Sequence, residues 1–184
     1  MRCSRLSASL IAVLMGCLQG RASTLSVCEV LLHIGQYRGH IITVKGVLSG
    51  GRRHGLTLAQ SDGADPCSGT DSKIHNWPVA IALTEYSDGS DIEDGPADFS
   101  SNSKHIDQIL SGPLKIQRSR PEYGIEVTFV GELRSRPGIQ IMRSKEGWYA
   151  GDGYGQGGQY PALLVLKDAR EAHSIKRANG NPNN

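Results

Sequence analysis

Tyr123-Gly124-Ile125-Glu126-Val127-Thr128-Phe129-Val130-Gly131-Glu132-Leu133 is the stretch from which the rest of the chain can be ordered. An extended segment turns successive side chains to opposite faces. Here that puts Ile125, Val127, Phe129 and Leu133 on one face and Glu126, Thr128 and Glu132 on the other, which predicts a half-buried β-strand. Upstream, Ile106, Ile109 and Leu110 lie at helical spacing within Ser101 to Leu110, and Gly112-Pro113 reads as the stop of that helix. Three further strands precede the helix. His40 to Leu48 is rich in β-branched residues, with Ile42, Val44 and Leu48 alternating with Thr43 and Lys45, and Gly46 inside it marks a bulge or a sharp coil. Leu56 to Gln60 is the second strand, and Trp77 to Leu83, nearly continuous in apolar residues, is the third and most deeply buried.

Downstream, the glycine-rich 135–160 region holds a hairpin around Pro137-Gly138 and Ile139 to Met142, and Ala162 to Leu166 is the last strand. The order is therefore three strands, a helix and two strands. This matches the five-stranded Greek-key β-barrel of the OB-fold, in which a helix lies between strands three and four. A different α+β domain with a curled antiparallel sheet is the rival. A short helix precedes the barrel: Ser26 and Glu29 form a capping box, Val27, Val30, Leu31 and Ile34 follow at helical spacing, and Gly35 is the stop. Residues 23–169 form a single OB-like domain on this reading, and residues 170–184, without periodicity, form a disordered tail.

The first 22 residues read as a leader. Arg2 and Arg5 precede an uncharged apolar run from Leu6 to Leu18, and small residues follow at Gly20 and Ala22. That is the layout of a secretory signal peptide, and about a dozen apolar residues fall short of the roughly twenty that span a bilayer. Two cuts fit: after Ala22, or before Cys17 in Leu14-Met15-Gly16-Cys17, which resembles a lipobox with an unusual Met15. The second would give a lipoprotein signal over 1–16 and make Cys17 the acylated residue; an uncleaved anchor and a misread start codon are the remaining alternatives. Export to the periplasm, the envelope surface or the medium follows from either cut.

The leader carries three arginines and no acid, so the 20 Lys+Arg and 18 Asp+Glu of the whole chain become 17 against 18 without it. A near-neutral domain lacks the broad basic field of nucleic-acid binders. Cys3 leaves with the leader, and Cys17 leaves or carries lipid. Cys28 and Cys67 then remain as an even pair in an exported chain, which predicts a disulfide; metal ligands and free thiols are the alternatives. A bridge closing a loop of about 40 residues stabilises by roughly 3–4 kcal/mol in the loop-entropy model.

Val27-Cys28-Glu29-Val30, Tyr37-Arg38-Gly39 and Ile42-Thr43-Val44-Lys45-Gly46 together resemble the opening of small exported bacterial proteins with OB-like domains, a group largely of unknown function. Tyr123 to Gly131, and Gly153-Tyr154-Gly155-Gln156 with Tyr160-Pro161-Ala162-Leu163-Leu164-Val165, extend the resemblance over most of the mature chain. The resemblance implies a His at the position where this chain has Gln156. The resemblance implies a fold and a compartment and supplies no reaction.

Motifs of catalysis are absent from the sequence: there is no Gly-x-Ser-x-Gly, His-Glu-x-x-His or phosphate-binding loop, and the six histidines have no ligand spacing. No cofactor or metal is expected. Asp88, Asp91, Glu93, Asp94 and Asp98 share one loop, but their spacing misses the EF-hand pattern, and a solvated acidic loop is the reading preferred over calcium. OB domains bind ligands across strands two and three and the loops joining strands one–two and four–five. The first loop here carries Arg52, Arg53 and His54. The second carries Arg143, Trp148, Tyr149 and Tyr154, with Arg136 and Lys145. Aromatic faces stack on sugars or bases and arginines hold anions, so these seven residues, Arg52 to His54 and Arg143 to Tyr154, are the candidate binding set; packing of Trp148 and Tyr149 on the barrel mouth is the alternative. The expected function is an exported, non-catalytic binding or scaffolding domain for an oligosaccharide or an envelope protein. A nucleic-acid-binding domain and an envelope-polymer hydrolase are the alternatives, and contact with a membrane would run only through a lipid anchor.

Overall fold

The computed structural model describes residues 23–51, 55–61, 67, 77–87 and 92–177. In chain order these form β1 (Thr24–Ser26), α1 (Val27–Leu32), α2 (Ile34–Tyr37), β2 (Ile41–Gly51), β3 (Gly55–Ala59), β4 (Ala80–Glu85), α3 (Ser103–Ser119), β5 (Tyr123–Arg134), β6 (Ile141–Arg143), β7 (Tyr149–Gly151), a 3-10 turn at Gln156–Gly158 and β8 (Leu163–Lys176). The fold is mainly β. Six strands make one mixed sheet in the order β1-β2-β3-β4-β8-β5, β2 also pairs with β5, and β6 and β7 form a separate two-stranded hairpin. The β1–β2 and β4–β8 pairings are parallel and the other pairings of the main sheet antiparallel.

β5 is the strand that its alternation predicts, with Ile125, Val127, Phe129 and Leu133 buried in the main core. The same core collects Val44 and Leu48 of β2, Leu58 of β3, Ile81 and Leu83 of β4, Val30 and Leu31 of α1 and Ile106 and Leu110 of α3. The capping box of α1 is present: the Ser26 hydroxyl accepts from Glu29 N at 3.1 Å, and Ser26 N donates to the Glu29 carboxylate at 2.7 Å. The bond from the Ser26 backbone N–H is the main cause that holds the Glu29 carboxyl below its ordinary value, and the Ser26 side chain adds to it. Gly35 does not stop the helix; α1 ends at Leu32, and Gly35 lies inside the short turn α2.

Gly46 earns its place through close approach. A Cβ there would lie 2.5 Å from the Ala59 carbonyl oxygen and 2.8 Å from Leu58 Cγ. The position falls where one edge of β2 changes partner, from β1 at Thr43–Lys45 to β3 at Val47–Gly51. Gly131 does the same in β5, next to a register shift against β8, where a Cβ would meet the Val165 carbonyl at 2.4 Å.

Three more expectations need correction, and one strand is unforeseen. The helix α3 runs through Gly112-Pro113 to Ser119, because Leu114 still packs on the core and the amide lost at the proline costs one bond on an exposed turn. The last strand is longer than Ala162–Leu166: β8 reaches Lys176, and its pairing with β5 orders residues 170–176 of the expected disordered tail. Residues 178–184 lie outside the described residues. The hairpin of the glycine-rich region joins Ile141–Arg143 to Tyr149–Gly151, one turn later than Pro137-Gly138 suggests. Finally, β1 has no counterpart in the sequence reading. No helix among the described residues is long and apolar enough to cross a membrane.

Candidate functional site

The connection from β5 to β8, residues 135–162, divides into two parts with opposite roles. One part packs onto the outer face of the sheet. Tyr154 and Tyr160, Ile139, Ile92, Ala97 and Phe99 gather with Ala82 and Tyr86, Leu163 and Val165 into a second hydrophobic cluster. Tyr154 is 0% exposed at its centre, so it is a packing residue rather than an available binding face. Burial is the main reason its phenol is pushed well above its ordinary value, and its hydroxyl donates to Asp94 Oδ2.

Arg136 completes this latch. Its guanidinium stands 4.7 Å from the centre of the Tyr154 ring, 2.9 Å from Asp94 and 3.6 Å from Glu93. The nearly buried Arg134 side chain donates to the carbonyls of Glu93, Gly95 and Pro96. Burial raises the Asp94 carboxyl, but the bonds from Tyr154 and Arg136 outweigh it and the group ends below its ordinary value. Glu93 and Asp94 are therefore structural ligands of arginine, where the sequence suggests a solvated acidic loop. Asp88 and Asp91 lie outside the described residues, and among the described residues no cluster of His, Cys, Asp or Glu could hold a metal.

The other part is the β6–β7 hairpin. Ser144 N donates to the Trp148 carbonyl at 2.7 Å, Gly147 N to Ser144 O at 3.1 Å, and Gly147 has φ +90°, the left-handed geometry that three-residue hairpin loops reserve for glycine. The register sets Met142 opposite Ala150 and Arg143 opposite Tyr149. Side chains two apart share a face, so Met142 and Trp148 stand together on one side, each 75% exposed. On the opposite side Ile141 is buried and the Arg143 guanidinium lies 5.6 Å from the Tyr149 ring centre. Trp148 thus does not pack inward, whereas Tyr149 is half-buried.

The candidate set is therefore split. Arg143 and Tyr149 meet on one face of the hairpin, Trp148 stands on the other, and Tyr154 belongs to the second core. Arg52, Arg53 and His54 lie outside the described residues, as does the lipidation candidate Cys17. Cys28 and Cys67 are joined as a disulfide with Cα atoms 5.2 Å apart, which ties α1 to the β3–β4 connection. Sequence reasoning missed Met142 and Arg134; the two-residue period after Gln140 could have paired Met142 with Trp148 once the turn at Gly147 was placed.

Two clefts flank these elements. The larger, about 530 Å³, lies between α2, Trp77 and the start of the β5–β8 connection, with Arg38 and Arg136 as its charged residues. The smaller, about 330 Å³, lies on the outer face of β3 and β4 beside Gln156 and Tyr160 and holds one carboxylate, Glu93. Among the described residues neither cleft is lined by a pair of carboxylates. No model of a known protein family matches this chain, and neither a curated protein nor a solved structure matches it.

Proposed function

We propose that this chain is an exported, non-catalytic OB-like domain that binds an envelope protein through the Met142–Trp148 face of its β6–β7 hairpin. The OB-like reading is supported by the cycle of pairings β2-β3-β4-β8-β5 and back to β2, with α3 between β4 and β5. The reading of export is supported by the leader-like first 22 residues together with the Cys28–Cys67 disulfide, a bond that persists in oxidising compartments.

The observation that carries the binding assignment is the exposure of Trp148 and Met142 side by side on a short, separately paired hairpin. Burying a large apolar side chain is worth roughly 1.5–3 kcal/mol, and leaving two in water forgoes it. Trp and Met are enriched in protein interfaces. A methionine offers a sugar no stacking face, so the pair favours a protein over an oligosaccharide.

A photo-crosslinking residue placed at Trp148 in the native host tests this, with the same residue at Ser111 on the exposed side of α3 as control. The expected result is one discrete protein adduct at 148, lost in Met142→Glu and absent at 111. No adduct at 148, or the same products at both positions, would remove the assignment. A crosslink to nucleic acid that fades steeply with salt would instead revive the oligonucleotide alternative.

A further inference from the structure

The 530 Å³ cleft is separate from the exposed face of the hairpin and has its own chemistry. Its size falls within the roughly 300–1,000 Å³ of small-molecule sites. Ile34 of α2, Trp77, Ile139 and Pro161 give it an apolar wall, and among the described residues no aspartate or glutamate lines it. Its charged lining residues among the described ones are Arg38 and Arg136.

The two arginines are not equivalent. Arg136 is already paired with Asp94 at 2.9 Å and Glu93 at 3.6 Å, so its charge is spent within the latch. Arg38 follows directly on α2 and is exposed, and its guanidinium has no ion pair or hydrogen bond among the described residues. The cleft therefore presents one unneutralised cation beside an apolar wall. A planar fork of donors matches a carboxylate bidentately.

We infer that this cleft binds a small monocarboxylate with an apolar body, the carboxylate on Arg38 and the body against Trp77, Ile34 and Ile139. The source of that chemistry is either a free amphiphile or the C-terminus of an apolar peptide. The site does not depend on the hairpin reading, since it shares neither Trp148 nor Met142.

The test is a two-dimensional amide NMR titration of the disulfide-bonded protein with octanoate, with 1-octanol as the uncharged match. Octanoate should give saturable shifts centred on Ile34, Arg38, the Trp77 indole and Ile139. Octanol should bind roughly tenfold more weakly, a difference of one charge-assisted contact. Arg38→Gln should bring octanoate down to the affinity of octanol, and Ile139→Glu should weaken both. Equal binding of the two probes, unchanged octanoate binding in Arg38→Gln, or shifts scattered away from the cleft would each overturn the inference. A parallel titration with acetyl-Ala-Leu-Phe, carrying a free carboxylate, identifies the source: the probe that saturates at the lower concentration marks it.

Discussion

Replacing Tyr154 with phenylalanine keeps the ring that fills the second core and removes only the hydroxyl bonded to Asp94. Hydrogen bonds to charged groups contribute about 1.5–3 kcal/mol when shielded from water. Asp94 is 36% exposed and shares its charge with Arg136, so solvent screens part of that, and about 1–1.5 kcal/mol is the expected loss. For a domain of this size that corresponds to a fall of about 2–6 °C in Tm. Urea unfolding followed by circular dichroism should show a lower midpoint with the same slope, because the surface exposed on unfolding barely changes. The acid limb gives a second reading. Asp94 is held below its ordinary 3.8 in the folded state, so its contribution is fully present above that value and is lost as pH falls through the depressed one. The gap between the protein and Tyr154→Phe should therefore be constant near neutrality and narrow only below about pH 4. An unchanged midpoint at pH 7, or a gap that ignores acid, would refute the latch.

Three other outcomes follow from the same structure. The double variant Cys28→Ser/Cys67→Ser should lose roughly 3–4 kcal/mol in urea unfolding, and dithiothreitol should produce the same loss in the unmodified protein; equal midpoints would show that the bridge constrains little. Gly131→Ala should cost about 1–3 kcal/mol or more, since its Cβ would meet the Val165 carbonyl at 2.4 Å, whereas Gly124→Ala, with nothing nearer than 3.5 Å, should stay within about 0.5 kcal/mol. Comparable melting temperatures for the two glycine variants would contradict the register of β5 on β8. Met142→Ser/Trp148→Ser should melt within about 2 °C of the unaltered protein, as surface changes do, and a larger fall would return Trp148 to a packing role.

The central strands were legible because each carries its reason locally. Ile125 to Leu133 alternates, Ile42 to Leu48 does so around Gly46, and both lie in the core where that pattern places them. Counting cysteines found the disulfide for a similar reason: compartment and parity left one pair. What escaped has its cause elsewhere in the chain. Thr24–Ser26 is a strand only because Thr43–Lys45 offers it an edge. Residues 170–176 are largely polar, and their order comes from the main-chain ladder with β5 rather than from any buried stripe. At the candidate site, Trp148 and Arg143 could be singled out from the sequence as candidates, yet nothing near Tyr154 in sequence reveals that Asp94, sixty residues away, receives its hydroxyl. An aromatic in a glycine-rich loop reads the same whether it faces a ligand or a second core; only the partner decides.

Export of an oxidised domain underlies the proposed function, and mass spectrometry of the protein from its native host, with and without reduction, tests it most directly. The account expects a mature chain starting at Ser23 or at an acylated Cys17, and a linked peptide pair containing Cys28 and Cys67 that separates on reduction. A chain that retains Met1 to Ala22 and carries two free thiols would contradict it, and would return the arginines of the β2–β3 connection to the front of the search.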